Sequence, residues 1–301
     1  MLQPNESKGN DNFLEKFFQE YGALKKSEEW GKIINLGLQA LKDSEITNVY
    51  SALIQCRLTS CYYYLGQHQE ALEIAKDALE KATKAENKEL QARSFYLISA
   101  IYRVLALKTS GEQQKEYKEF ANSNTEKALE LLSEPNISNF TKAKVHFNAG
   151  ALEHDLNSSF DSEAFDSALK HYSEAQKLFK AIGSNDDYDR TAIRYLRAAM
   201  EEGKKSLDEI EAEAGDLSIK KETKTGVQFS ILMSRVLLKN GKVGEAFQFA
   251  TNALEVAKGK SMKTEVTMLE EIISKEQERG VSSSLSKVGI SKESEKQHVV
   301  G

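Results

Sequence analysis

No proline interrupts the chain between Pro4 and Pro135, a run of about 130 residues, and none follows Pro135. Inside a helix proline removes a hydrogen bond and clashes with the preceding turn, at a cost of roughly 3 kcal/mol. A sequence that keeps it out over such distances is built to be helical. Ala, Leu, Glu and Lys, all strong helix formers, dominate the remainder.

Small residues then recur at helical spacing. In Leu65-Gly-Gln-His-Gln-Glu-Ala-Leu-Glu-Ile-Ala-Lys-Asp-Ala-Leu, residues Ala71, Ala75 and Ala78 fall on one face, and Gly66 marks a turn after a helix carrying Leu58 and Tyr62. Near the other end Met233 and Leu237 lead through Gly241 to Ala246, Ala250, Ala253 and Leu254. Weaker stripes lie at Ile33/Gly37/Ala40, Ala121/Thr125/Ala128, Ala168/Tyr172/Ala175 and Leu207/Glu211/Ala214. The last is the poorest, since Glu211 falls where a small apolar residue is expected. From Ala40 through Ala78, Ala128, Ala175 and Ala214 to Ala253 the intervals are 38, 50, 47, 39 and 39 residues. The two long ones call for insertions, the first at Lys108–Tyr117 and the second at Asn157–Glu163, where Ser159 or Asp161 would be an N-cap.

This pattern resembles the tetratricopeptide repeat, over roughly residues 12–279. Intervals near 39 exceed the usual unit of about 34 and are similar to the long-helix members of that family, the MalT, Rap and kinesin-light-chain types. The resemblance implies an all-α, right-handed superhelical solenoid of about six helix hairpins. Residues 261–279, with Val266, Leu269 and Ile273 at helical spacing, read as a capping helix over the last repeat. Residues 1–11 and 280–301 have the polar composition of disordered ends. Phe13, Phe17, Phe18 and Tyr21 are expected to pack the first helix onto Trp30 and Ile33.

Chemistry is sparse. A formal net charge of −5 and a pI near 5.7 speak against sequence-independent binding to nucleic acid or anionic membrane. No run of about 18 apolar residues is present to span a bilayer. Cys56 and Cys61 are five apart, point to different sides of a helix and have no histidine at zinc-ligand spacing, so they read as free thiols in a reducing, cytoplasmic setting. His146 and His154, flanked by Glu153 and Asp155, are eight apart and suit a surface or groove better than a metal site. No nucleophile elbow, phosphate loop or dinucleotide fingerprint occurs. The expectation is a non-enzyme with no catalytic residue, metal or cofactor.

Binding is the better prospect. Arg190, Arg194 and Arg197 lie at i, i+4, i+7 on one face, opposite an apolar stripe of Ala192, Leu196 and Ala199, and forked guanidinium donors suit carboxylates. The bland reading is a solvated face balanced by Asp186, Asp187, Glu201 and Glu202. In the aromatic run Tyr62–Tyr64, Tyr63 turns away from the core, and Arg57 sits on the same first helix. Arg57, Tyr63, Arg190, Arg194 and Arg197 are the expected groove residues for a protein or peptide partner, acidic in character. Some family members clamp a chaperone's terminal carboxylate with a Lys/Asn/Arg set on first helices. The corresponding positions here carry Cys56, Arg57 and Ser60, then Lys142 and His146, then Ile231, Leu232 and Arg235, so that clamp is not expected. The resemblance implies a scaffold or adaptor that holds a partner polypeptide in the concave groove. Alternatives are a peptide-responsive regulatory sensor and a chaperone or effector of a bacterial secretion system.

Overall fold

The computed structural model describes residues 10–42, 46–157, 162–217, 219–260, 262 and 264–274. The terminal segments, the proposed caps Ser159 and Asp161, and the packing of the Phe13 side chain lie outside what it describes. Among the described residues all regular structure is helical. The chain forms two compact units, one ending at Gly183 and the other beginning at Ser184, over the span that the sequence reads as one repeat domain.

In the first unit α1 (Asn10–Lys26) pairs with α2 (Trp30–Ala40), α3 (Asn48–Tyr64) with α4 (His68–Lys84), α5 (Lys88–Lys108) with α6 (Gly111–Glu130), and α7 (Asn139–Leu152) with α8 (Ser162–Ala181). A 3₁₀ turn, Leu131–Ser133, follows α6, and a π-helical turn, Glu153–Asn157, extends α7. The first helices α3, α5 and α7 also pack side by side. In the second unit α9 (Asn185–Glu201) is followed by α10 (Leu207–Gly215), and α11 (Lys224–Lys239) pairs with α12 (Val243–Gly259). Helices α9 and α11 are neighbours, and α13 (264–274) closes the unit.

Local chemistry sets the helix ends. Side chains of Thr47, Asn87, Ser138 and Thr223 accept from backbone N–H groups three residues on, and Ser206 with Glu209 forms a reciprocal capping box. Within the hairpins, Gly66 (φ 77°) and Gly241 (φ 74°) take the left-handed conformation after α3 and α11. Gln67 N–H then reaches back to Tyr62 C=O at 2.9 Å, and Lys242 N–H to Leu237 C=O at 2.8 Å. This is the glycine C-cap that stops a helix and reverses the chain.

The small-residue stripes lie where the sequence places them. Ala71, Ala75 and Ala78 of α4 are fully buried, as are Ala121 and Ala128 of α6, Ala168, Tyr172 and Ala175 of α8, and Ala246 and Ala250 of α12. Tyr172 is bulky, and Gly150 on α7 makes room for it: a Cβ on Gly150 would sit 2.9 Å from the Tyr172 ring and 3.0 Å from the Ala168 carbonyl oxygen. Gly37 does the same for Leu58, whose Cδ2 would lie 2.5 Å from an added Cβ. Helix α10 departs from the expected register. Its buried residues are Ile210 and Ala214, while Glu211 faces outward and accepts a hydrogen bond from Lys242 at 2.9 Å. The first long interval is absorbed by helix rather than loop: α5 spans 21 residues and α6 spans 20, with only Thr109 and Ser110 between them. In α13 the deepest residues are Leu269 and Ile272, with Val266 and Ile273 packed beside them against the α11–α12 core.

Polar contacts pin α5 to its neighbours. Burial pushes the Glu89 carboxyl up, but hydrogen bonds from Thr141 and Ser138 and the charge of Arg93 outweigh it, and the pKa ends below the ordinary value. Asn148 donates to Ser99 at 3.0 Å, and Ser99 shares a 2.6 Å bond with Thr125, so helices α5, α6 and α7 meet through buried, satisfied groups.

Because Ala75 has no exposed surface, Ala75→Trp should cost about 3 kcal/mol or more through overpacking. Urea unfolding of the variant is the measurement. A parent-like midpoint would show that α4 does not cross its partner closely there.

Candidate functional site

Helix α9 buries Ala192, Ile193, Leu196 and Ala199, which leaves Arg194 and Arg197 half-buried at the edge of its packed face. Helix α11 offers Gln228, Ile231, Leu232 and Arg235 beside them, and α13 adds Glu265 and Met268. Together they enclose a cavity of about 100 Å³. Its floor is apolar, formed by Ile193, Ile231, Leu232 and Met268, and its rim carries three guanidinium groups, those of Arg194, Arg197 and Arg235.

Arg197 Nε donates to Glu201 at 2.9 Å, whereas Arg235 Nη1 stands 3.9 Å from the same carboxylate. Burial and then the neighbouring Arg197 charge lower the Arg235 pKa against the opposing pull of Glu201 and Glu271. A guanidinium keeps its proton at any physiological pH. The shift therefore expresses the burial of this cation first and its closeness to Arg197 second.

Of the five residues expected from sequence, two share this cavity. Arg194 and Arg197 line it; Arg190 is turned toward Asp187, 3.8 Å away, and does not. The charge balance expected for a plain solvated face is thus partly present, with Asp187 and Glu201 as the partners. Arg57 and Tyr63 belong to the first unit. The Arg57 guanidinium lies over the Tyr21 ring, 5.0 Å from its centre. Tyr63 Oη accepts from Arg103 Nη2 at 3.2 Å, and Arg103 is ion-paired with Asp155 of the π-helical turn. Arg235 was not among the expected site residues. It follows Arg197 by 38 residues, one short of the 39-residue interval between Ala214 and Ala253, so the two lie at near-equivalent positions of neighbouring first helices, and a search of the arginine face around that interval would have found it.

Elsewhere the reactive side chains are enclosed. Cys56 and Cys61 are buried free thiols; burial raises both, Cys61 to about 12, which removes thiolate character. His154 is 4% exposed and packs against Phe165 and Tyr172, so the surface position expected for it is corrected to an aromatic core position. His146 does not pair with His154. Its Nδ1 lies 3.0 Å from Nδ1 of His171 on α8, one nitrogen donating and the other accepting. Among the described residues no group of three or more His, Cys, Asp or Glu side chains is placed to hold a metal ion, and no helix is long and apolar enough to cross a membrane.

Paired helices with alanine-lined crossings, glycine-capped turns and neighbouring first helices define a tetratricopeptide-like helical-repeat fold. Among solved structures the chain is similar to a Rap protein in complex with Competence and Sporulation Factor, at 12% identity over 89% of this chain and 75% of that one, with a TM-score of 0.54. It also aligns to the TPR2AB domain of yeast Sti1 in complex with pHSP90, at 14% identity over 89% of this chain and 99% of that one, with a TM-score of 0.35. No protein-family model and no curated protein sequence matches it.

The histidine pair makes stability pH-dependent. Burial lowers both pKa values from 6.5, helped at His146 by the His171 charge and opposed by Glu174 and Glu153 respectively. The unfolded chain then takes up protons first, so the pair's contribution is complete above about pH 6.5 and is lost as the pH falls through the folded-state values. Urea midpoints should drop between about pH 8 and pH 5, and the drop should be smaller in a His146→Asn/His171→Asn variant. Equal drops in the two proteins would place the acid sensitivity elsewhere.

Proposed function

We propose that this chain is a non-catalytic scaffold or adaptor that holds a partner polypeptide, with an acidic stretch of that partner seated in the cavity between α9, α11 and α13. The observation that carries this reading is the convergence of Arg194, Arg197 and Arg235 over an apolar floor. Forked guanidinium groups recognise carboxylates bidentately, and arginines in partly dehydrated settings are frequent hot spots of protein association. Rows of neighbouring first helices suit an extended ligand, because each hairpin adds contact area without a deep pocket. The two buried, unpaired cysteines fit a reducing, cytoplasmic setting.

A second reading, a peptide-responsive regulatory sensor, is motivated by the likeness in fold to the Rap protein bound to Competence and Sporulation Factor. The two part on one observable. A sensor compacts when its ligand binds, which small-angle scattering detects, and an adaptor keeps its dimensions.

Reversing the rim charges with Arg194→Glu, Arg197→Glu and Arg235→Glu together should reduce recovery of the bound partner by at least about tenfold, given the cost of replacing charge-assisted pairs with like-charge contacts. Helical content by circular dichroism should stay unchanged, since none of the three is fully buried. Undiminished recovery of the same partner, identified by mass spectrometry, would remove this cavity from the binding surface.

A further inference from the structure

Helices α7 and α8 approach closely at Gly150, where an added Cβ would run into the Tyr172 ring. His146 stands one turn before Gly150, and His171 is next to Tyr172. The tight crossing therefore fixes the separation of the two imidazoles, and sites held on packed helices are the most sharply placed. Their Nδ1 atoms meet at 3.0 Å, with the ring centres 5.2 Å apart. Such a bond requires the lone pair of one Nδ1 and the N–H of the other to point along one line. Both side chains are half-buried, so neither ring is sealed from solvent. Among the described residues, the outside charges that act on the pair come from two carboxylates, Glu174 at His146 and Glu153 at His171. Burial lowers both pKa values, so both rings are neutral at neutral pH.

Neutral imidazoles with converging Nδ1 atoms are what a first-row divalent ion binds. Zinc–nitrogen bonds of about 2.0–2.1 Å at a tetrahedral angle hold two ligand nitrogens about 3.3 Å apart. The observed 3.0 Å has to open by only about 0.3 Å to meet that spacing. We infer that His146 and His171 form a two-nitrogen site for a divalent ion of the zinc class, a staple between α7 and α8. The ion takes the place of the shared proton. The donating ring moves that proton from Nδ1 to its own Nε2, so both Nδ1 lone pairs face the ion and the pair loses no proton. Among the described residues no third His, Cys, Asp or Glu side chain joins the two, and water fills the remaining positions. Glu174 is ion-paired with Lys177 at 3.4 Å and contributes its field rather than a bond to the ion. Magnesium, which takes oxygen ligands in an octahedron, is not served by two imidazoles. No residue of the arginine-rimmed cavity takes part, so the site holds whether or not that cavity binds a partner.

The test uses the full untagged chain, treated with EDTA and dialysed, against zinc chloride and magnesium chloride. Equilibrium dialysis should find one zinc ion per chain with a dissociation constant on the order of 10 µM, weaker than a four-ligand structural site because two protein donors supply fewer bonds. Magnesium should not be taken up. His146→Asn and His171→Asn should each weaken zinc binding by more than the roughly tenfold that loss of an outer partner of a metal ligand costs, while His298→Asn leaves it unchanged. In the parent, nitrogen NMR should show zinc converting both rings to the Nε2–H form with Nδ1 bound, a readout that needs no variant to fold. Zinc should also raise the urea midpoint of the parent and not of either variant, because the ion binds the folded arrangement. Zinc uptake unchanged in the two histidine variants or equally weakened by His298→Asn, coordination through Nε2, equal uptake of magnesium, or no zinc uptake would each overturn the site.

Discussion

Everything in this molecule depends on how closely paired helices approach at their crossings. Interaxial distances of 8–10 Å leave room for only small side chains at the contact, and Ala71, Ala75 and Ala78, or Ala246 and Ala250, supply them. Where a large side chain intrudes, the partner gives way by the same amount. Tyr172 takes a stripe position on α8 because Gly150 faces it on α7, and Leu58 reaches α2 because Gly37 is there. An alanine stripe contributes little apolar area of its own. Cohesion comes from the larger residues that the close approach brings together, such as Ile33, Leu58 and Ile54 in one cluster and Ile101, Tyr102 and Leu152 in the next.

That packing explains why the cavity of the second unit lies where it does. Stacking hairpins turns a sequence interval into a lateral contact. Arg197 and Arg235 become rim neighbours, and Ile193 and Ile231, also 38 residues apart, become neighbours in the floor. Helix α13 covers the core edge through Leu269 and Ile272 and places Met268 and Glu265 in the lining of the cavity. A helix needed to finish the core thus also shapes the site.

The stripes were legible because they are local: helical spacing of alanine is a property of one segment and requires no knowledge of its neighbour. Helix α10 was misread by one position for the same reason. With nine residues it crosses its neighbours briefly enough to accommodate Ile210, so the small-residue rule loosens and Glu211 is free to meet Lys242. The spacing places the first insertion at Lys108–Tyr117 but does not say whether helix or loop takes up the length; Gly111, with a left-handed φ of 66°, is the first residue of a 20-residue helix. Site residues were harder. Arg194 and Arg197 show on one helix, but the fate of Arg57, Tyr63 and Arg190 is decided by Tyr21, Arg103 and Asp187. Two of those partners lie on other helices, where spacing within one segment carries no information.

The electrostatic setting constrains how such a cavity recognises anything. The chain is acidic overall, with a net charge of −5, so its distant field repels an acidic partner, and at physiological salt that field fades within about 8 Å in any case. Arginine rims on an anionic protein therefore do little to draw a ligand in from afar. Their effect begins at contact, where burial weakens screening and forked donors demand a fixed geometry. Selectivity under these conditions resides in how long a fitting segment stays rather than in how fast it arrives.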